Sequence, residues 1–199
     1  MMKITFFLLL VLSFTSCSRT QAPIVEYKLN VSVPTSFSTS TECRQQTLKV
    51  ANAFTPNMLM LNEMNYVSGL YKMNSFTESS WSEAPSKAIT MQIVKVLENS
   101  QLYANVAEAE SHVKSDLILE NSIEDFMQYF SKDETESHVK VVLRATLIDA
   151  KTKKSLGHQR FEVLKQSNSI NAYGGVVALN KALEEVLENE VKWLGEMCK

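Results

Sequence analysis

Three histidines, three cysteines and one tight acidic pair are the residues of this 199-residue chain whose chemistry would matter if they converged. His112, His138 and His158 are scattered, with neither the H-x-x-H nor the HExxH spacing that puts two imidazoles on one zinc ion. Glu124-Asp125 is the one close carboxylate pair in an apolar setting. In a strand, neighbouring side chains point to opposite faces, so a single site would not use both for acid and base work, and the pair reads as structural. Ser68-Gly69 lacks the leading glycine of a nucleophile elbow. Gly174-Gly175 lacks the spacing of a phosphate-binding loop, and without a P-loop the chain is not itself an ATPase. The expectation is a protein that is not an enzyme, with no metal and no cofactor.

The cysteines divide into one and two. Met1-Met2-Lys3 is a short basic start, Ile4 to Leu12 is apolar except for Thr5, and Ser13-Phe14-Thr15-Ser16 leads to Cys17. A basic start, a short apolar run and small residues before the cut make a secretory signal over residues 1–16. The run is far short of the ~20 residues a spanning helix needs. Small residues directly before a cysteine form a lipobox, which makes Cys17 the acylated first residue of a mature lipoprotein. The alternative, an ordinary signal cleaved nearby, leaves that cysteine incidental. An acylated Cys17 places the chain in the bacterial envelope, facing the periplasm and held by acyl chains; two or more chains anchor firmly where one does so marginally. Ser18 follows the cysteine, and without an Asp there the outer membrane is favoured. Cys43 and Cys198 remain, an even pair in an oxidising compartment, which favours a disulfide joining the start of the globular domain to its end. A redox or metal site is the other reading, and neither cysteine has a Cys or His close by to support it.

Lys and Arg total 20 against 22 Asp and Glu, a net charge of -2. No basic stripe or basic helix face appears, so nucleic acid is not an expected partner. The chain beyond the signal has the length of one domain. Residues 17–23 read as a polar tether and 24–199 as a single folded unit.

Within that unit, Ile24 to Val33 alternates at period two and reads as a strand, as does Thr47 to Phe54. Ser82 with Pro85 reads as the start of a helix carrying Ile89, Ile93, Val96 and Leu97, capped by the Ser82 hydroxyl. Leu102 to Val106 reads as a short strand. Asp116 to Phe130 reads as a long one whose pattern slips at Glu124-Asp125-Phe126, the mark of a bulge. Val139 to Leu147 alternates, Asp149 to Lys153 turns, and Ser155 to Lys165 returns, giving an antiparallel meander. A final helix carries the stripe Ala172, Val176, Leu179, Leu183, Val186, Leu187, Val191 and Leu194, with Gly174-Gly175 allowing close packing near its start.

Met58 to Trp81 is less regular and rich in Met and aromatics, with a strand over Leu70 to Glu78. Its large side chains either fill core or form an adaptable apolar surface, since Met repacks around varied partners. The docking reading expects Met58, Met60, Leu61, Met64, Tyr66 and Tyr71 to be partly exposed as one patch.

The lipobox followed by Tyr27-Lys28-Leu29, the central Met64-Asn65-Tyr66 with Trp81 and Pro85, and the stretch from Gly174-Gly175 through Ala178-Leu179-Asn180-Lys181-Ala182-Leu183 to Trp193-Leu194 together resemble the ABC-type transport auxiliary lipoprotein family. This resemblance implies a single α/β domain, a mixed sheet covered by two main helices, similar to the anticodon-binding-like or TolB N-terminal-like class. It implies work with an ABC permease, its ATPase and an MCE-domain protein in moving lipids between membranes. No catalytic motif carries over from the family. The further readings are a periplasmic lipid-binding lipoprotein, which needs an apolar pocket, and a structural envelope lipoprotein.

Overall fold

The computed structural model describes residues 22–32 and 43–198. Cys17 and the signal 1–16 lie outside the described residues, as do Val33 and most of the tether. In chain order the elements are strand β1 (Val25–Tyr27), a 3-10 turn (Cys43–Gln45), β2 (Thr47–Val50), a second 3-10 turn (Asn57–Met60), β3 (Glu63–Ser68), β4 (Lys72–Trp81), helix α1 (Pro85–Ser100), β5 (Asn105–Ala107), β6 (Leu117–Phe130), β7 (Ser137–Asp149), β8 (Ser155–Gln166) and helix α2 (Ala172–Met197). The strands form one eight-stranded mixed sheet. The long β6 is its spine. On one edge it pairs along its length with antiparallel β7, which pairs with β8. Its other edge is shared: β2 runs parallel to its first residues and β3 parallel to its last. The chain is therefore an α/β domain with two helices over one sheet face.

The meander follows from alternation. Leu117, Leu119, Asn121 and Ile123 turn inward, as do Leu147, Ala145 and Leu143 opposite the last three of them. The register slips between Ile123 and Asp125, so one extra residue re-phases the strand. Phe126 and Gln128 then take over the inward positions, with Phe126 against Trp81 at 5.8 Å between ring centroids. Helix α2 buries Val176, Leu179, Leu183, Val186, Leu187, Val191 and Leu194 on this face. Each fully buried Leu or Val contributes roughly 1.5–3 kcal/mol. Asn171 caps α2, its Oδ1 accepting from the Gly174 N–H at 2.9 Å. A methyl group on Gly174 would run into Ser169 of the loop before the helix and one on Gly175 into the Gln128 side chain, so Gly175 lets the helix start lie close to β6.

Two local expectations are corrected. Ser82 does not cap α1: its backbone N–H donates to the Tyr27 carbonyl at 2.7 Å, and the cap position is Ala84, with no side-chain bond. Pro85 makes the start workable, since a first-turn N–H has no intrahelical partner to lose. The first strand also stops at Tyr27. Beyond it, the Asn30 N–H donates to Asn180 Oδ1 on α2 at 2.7 Å and the Val31 N–H to Gln92 Oε1 on α1 at 3.2 Å. Leu29 and Val31 are buried there. The alternating pattern is satisfied by the helix layer, not by a strand neighbour.

Cys43 and Cys198 form a disulfide, their Cα atoms 5.5 Å apart, tying the end of α2 to the turn before β2.

Candidate functional site

The Met- and aromatic-rich stretch folds into a hairpin. Strand β3 pairs antiparallel with β4, Ser68 opposite Lys72 and Tyr66 opposite Asn74. Gly69 turns the corner at φ +65°, in the left-handed region that glycine occupies without penalty. On the inner face Tyr66 packs on Phe76 at 4.6 Å and on Phe130 at 5.1 Å. Alternation sends Met64 inward to 3% exposure, so Met64 is a core residue and not a contact residue. Met58 is half-buried against the core, and Tyr66 is half-buried against Phe76 and Phe130. Met60 and Leu61 remain exposed at 53% and 55%, and Tyr71 at 93%.

These exposed residues do not form one patch. Met60-Leu61 precedes β3 and Tyr71 comes after it, and six strand residues at about 3.3 Å each set the two spots roughly 20 Å apart. The hairpin carries apolar surface at both ends: Met60-Leu61 at its base, Leu70-Tyr71 at its tip.

Beside α1 lies an open groove of about 530 Å³. Val50, Ala53, Met91 and Val94 supply apolar surface, and Glu83, Lys87, Glu108 and Glu110 are its charged residues. Lys87 is paired to Glu83 at 2.6 Å, and the Asn52 amide donates to Glu110 at 2.9 Å, holding that carboxyl below its ordinary range. Three carboxylates against one ammonium make this groove inhospitable to a phosphate headgroup.

The acidic pair is structural, for a reason alternation does not give. The bulge places Glu124 and Asp125 on the same outer sheet face. Glu124 bridges Arg144 at 3.1 Å and Arg160 at 2.7 Å; Asp125 accepts from the Tyr129 hydroxyl at 2.7 Å and lies 3.4 Å from Lys140. Two hydrogen bonds to Glu124 and Glu162 hold the Arg160 guanidinium still more firmly protonated. Each carboxylate is held in an ion pair, which gives the two a structural part in the sheet. His138 stacks on Tyr129 at 5.5 Å. Among the described residues no group of three or more His, Cys, Asp or Glu converges to hold a metal ion. Also among them, no helix is long and apolar enough to cross a membrane.

One titratable group sits where the residue pattern gave no site. Glu190 of α2 is 1% exposed, and burial pushes its carboxyl up to about 7. Asn121 is close enough to temper that rise, although Glu190 Oε1 and both Asn121 side-chain polar atoms lack a hydrogen bond of good geometry. Burial, with Glu190 second, raises the Tyr103 hydroxyl, which is also unpartnered. Neither Glu190 nor Tyr103 lines the groove. This is a core feature, not an acid waiting for substrate.

The helices and the sheet make a two-layer α/β domain. Its sequence matches the profile of the ABC-type transport auxiliary lipoprotein component over residues 27–189, and the chain belongs to that family. The family is one of transport auxiliary lipoproteins and not a known family of enzymes. Its name places members in the cell envelope with an ABC transporter. No curated protein sequence matches the chain. Among solved structures, a DUF330 protein from Xanthomonas campestris is similar, with a TM-score of 0.79 at 18% identity over 87% of this chain and 95% of that one. An uncharacterized protein has a TM-score of 0.66 at 15% identity, covering 87% and 99%. A hypothetical protein from Chlamydia trachomatis has a TM-score of 0.52 at 8% identity, covering 77% and 98%. At these identities the likeness is one of fold.

Proposed function

We propose that this chain is a non-enzymatic docking subunit of an MCE-type ABC transport system, anchored at the outer membrane by acyl chains on Cys17 and engaged in lipid transport between membranes. Family membership supports an ABC transport partner. The observation that supports the docking role is Met60-Leu61, two adjacent large apolar side chains left more than half exposed at the base of the hairpin, beside the buried Leu59 and Met64. Met is suited to a surface that must adapt to its partner.

Replacing Met60 and Leu61 together with Glu is expected to weaken capture of the MCE-domain protein by about 100-fold, two anchors at roughly 1.4 kcal/mol each. Thermal unfolding should stay unchanged because both side chains face solvent. Capture that survives with unchanged affinity rules out this surface. The groove beside α1 favours a second reading, binding of a small apolar molecule, since its volume lies within the ~300–1,000 Å³ of ligand sites. Its acidic charges make phospholipid the least suited occupant.

A further inference from the structure

We propose that the tip of the β3–β4 hairpin, Leu70-Tyr71, is a membrane-contact element that seats in a zwitterionic headgroup layer beside the lipid anchor. Leu70 is 83% exposed and Tyr71 93% exposed, at a turn whose Gly69 has open space around it. Two adjacent large apolar residues held so far from the core by a structured turn contribute nothing to folding.

The strand register says what covers them. Strand β1 runs parallel to β4, with Val25 opposite Ser79. A chain continuing upstream of Val25 in the direction of β1 therefore heads along β4 toward the tip. Cys17 stands eight residues before Val25, and Tyr71 stands eight residues before Ser79. At about 3.3 Å per residue both stretches reach roughly 26 Å. The tether is just long enough to bring its acylated end level with the tip, and too short to hold the domain much farther from the bilayer. Ile24 and Val25, both about half exposed, lie along the same edge.

The residue types suit the place. A tyrosine ring presents an apolar body and a polar hydroxyl, the combination enriched at membrane–water boundaries. The acidic turn between β6 and β7 lies at the same end, with the Ser68 hydroxyl donating to Glu134 at 2.7 Å. Asp133, Glu134 and Glu136 outnumber Lys132 and the tip's own Lys72, so this end carries no net positive charge to draw it to an anionic surface, and the lipid expected here is zwitterionic. The tip toward lipid also leaves Met60-Leu61 about 20 Å from the membrane, on the side open to a periplasmic partner.

This inference rests on acylation of Cys17, so the experiment reads both. The full-length lipoprotein carrying Leu70→Cys, labelled with a fluorophore and incorporated into phosphatidylcholine vesicles with brominated acyl chains, is compared with the same protein labelled at Leu61→Cys, and intact mass reports the lipid on Cys17. The tip label is expected to be quenched by brominated lipid at least threefold more than the Leu61 label, and by aqueous iodide at least threefold less. Tyr71→Cys gives a second position if labelling at residue 70 perturbs the turn. An acylated protein whose tip label is as open to iodide as the Leu61 label overturns the membrane contact alone. A tip shielded from both quenchers also overturns it and assigns the tip to a protein contact, a second copy included. A chain that carries no lipid ends the anchor reading and the tip's role with it.

Discussion

Breaking the Cys43–Cys198 disulfide is expected to lower the unfolding free energy by up to about 5 kcal/mol. The two cysteines are 155 residues apart, so the bond closes nearly the whole domain into one loop, and chain-entropy accounting for a loop of that length gives about 5 kcal/mol as its ceiling. A domain of this size has only about 5–15 kcal/mol in total, so the reduced protein sits near the edge of folding. Both cysteines are buried, which makes Cys→Ala the cleaner replacement, since serine would bury an extra hydroxyl. Urea unfolding of the oxidised protein and of the double Cys→Ala variant measures the effect. The variant should unfold at a lower midpoint with a steeper dependence on urea, because its unfolded chain is more expanded. An unchanged midpoint would mean that the bond only records a proximity the fold already enforces.

Raising the pH from 5 to 8 is expected to destabilise the domain by about 3 kcal/mol through Glu190 alone. Its folded-state carboxyl lies at about 7 against an ordinary value of 4.5, a difference caused first by burial and eased by Asn121. The folded state therefore binds a proton more tightly than the unfolded state. Stability from this group is fully present below about pH 4.5, declines as pH rises toward 7, and is gone above it, since each unit of difference is worth about 1.4 kcal/mol. Glu162, Asp133 and Asp149 are shifted the other way, held down by hydrogen bonds to Arg160, to Ser131 and to Thr152 respectively. Their stability is lost only in more acidic solution, outside this window. Glu190→Gln cannot ionise, so its unfolding free energy should be nearly flat from pH 5 to 8 and exceed that of the parent at pH 8. Parallel profiles for the two proteins would assign the pH dependence to other groups.

Much of the fold is legible in the residues because one face of each long element is apolar at the right period. The meander, its bulge and both helices follow from alternation and from the i, i+3, i+4 stripes. The bulge is legible, but its consequence runs against simple alternation: two residues opposite one bring Glu124 and Asp125 to the same face, where Arg144, Arg160 and Lys140 meet them. The segment after Tyr27 alternates like a strand because it is buried on one side, yet Gln92 and Asn180 satisfy its backbone, and only tertiary structure supplies those partners. Ser68-Gly69 marks the hairpin turn, and the Met cluster before it obscures β3. Glu190 has a signal that is easily passed over, since it stands three residues after Leu187 and four before Leu194, within the buried stripe of α2. Of the residues expected at a docking surface, Met60 and Leu61 keep the exposure it needs, Met64 does not, and Tyr71 stands at the far end of the hairpin.

The docking role is tested most directly by placing a photo-activated cross-linking amino acid at Leu61 in cells that make the complete transport system, with the same residue at Leu156 of β8, also about half exposed, as comparison. Docking through the base of the hairpin predicts a cross-linked adduct from Leu61 whose peptides identify an MCE-domain protein, with little or none from Leu156. An MCE adduct forming equally from both positions, or Leu61 adducts that contain only other envelope proteins, would contradict it.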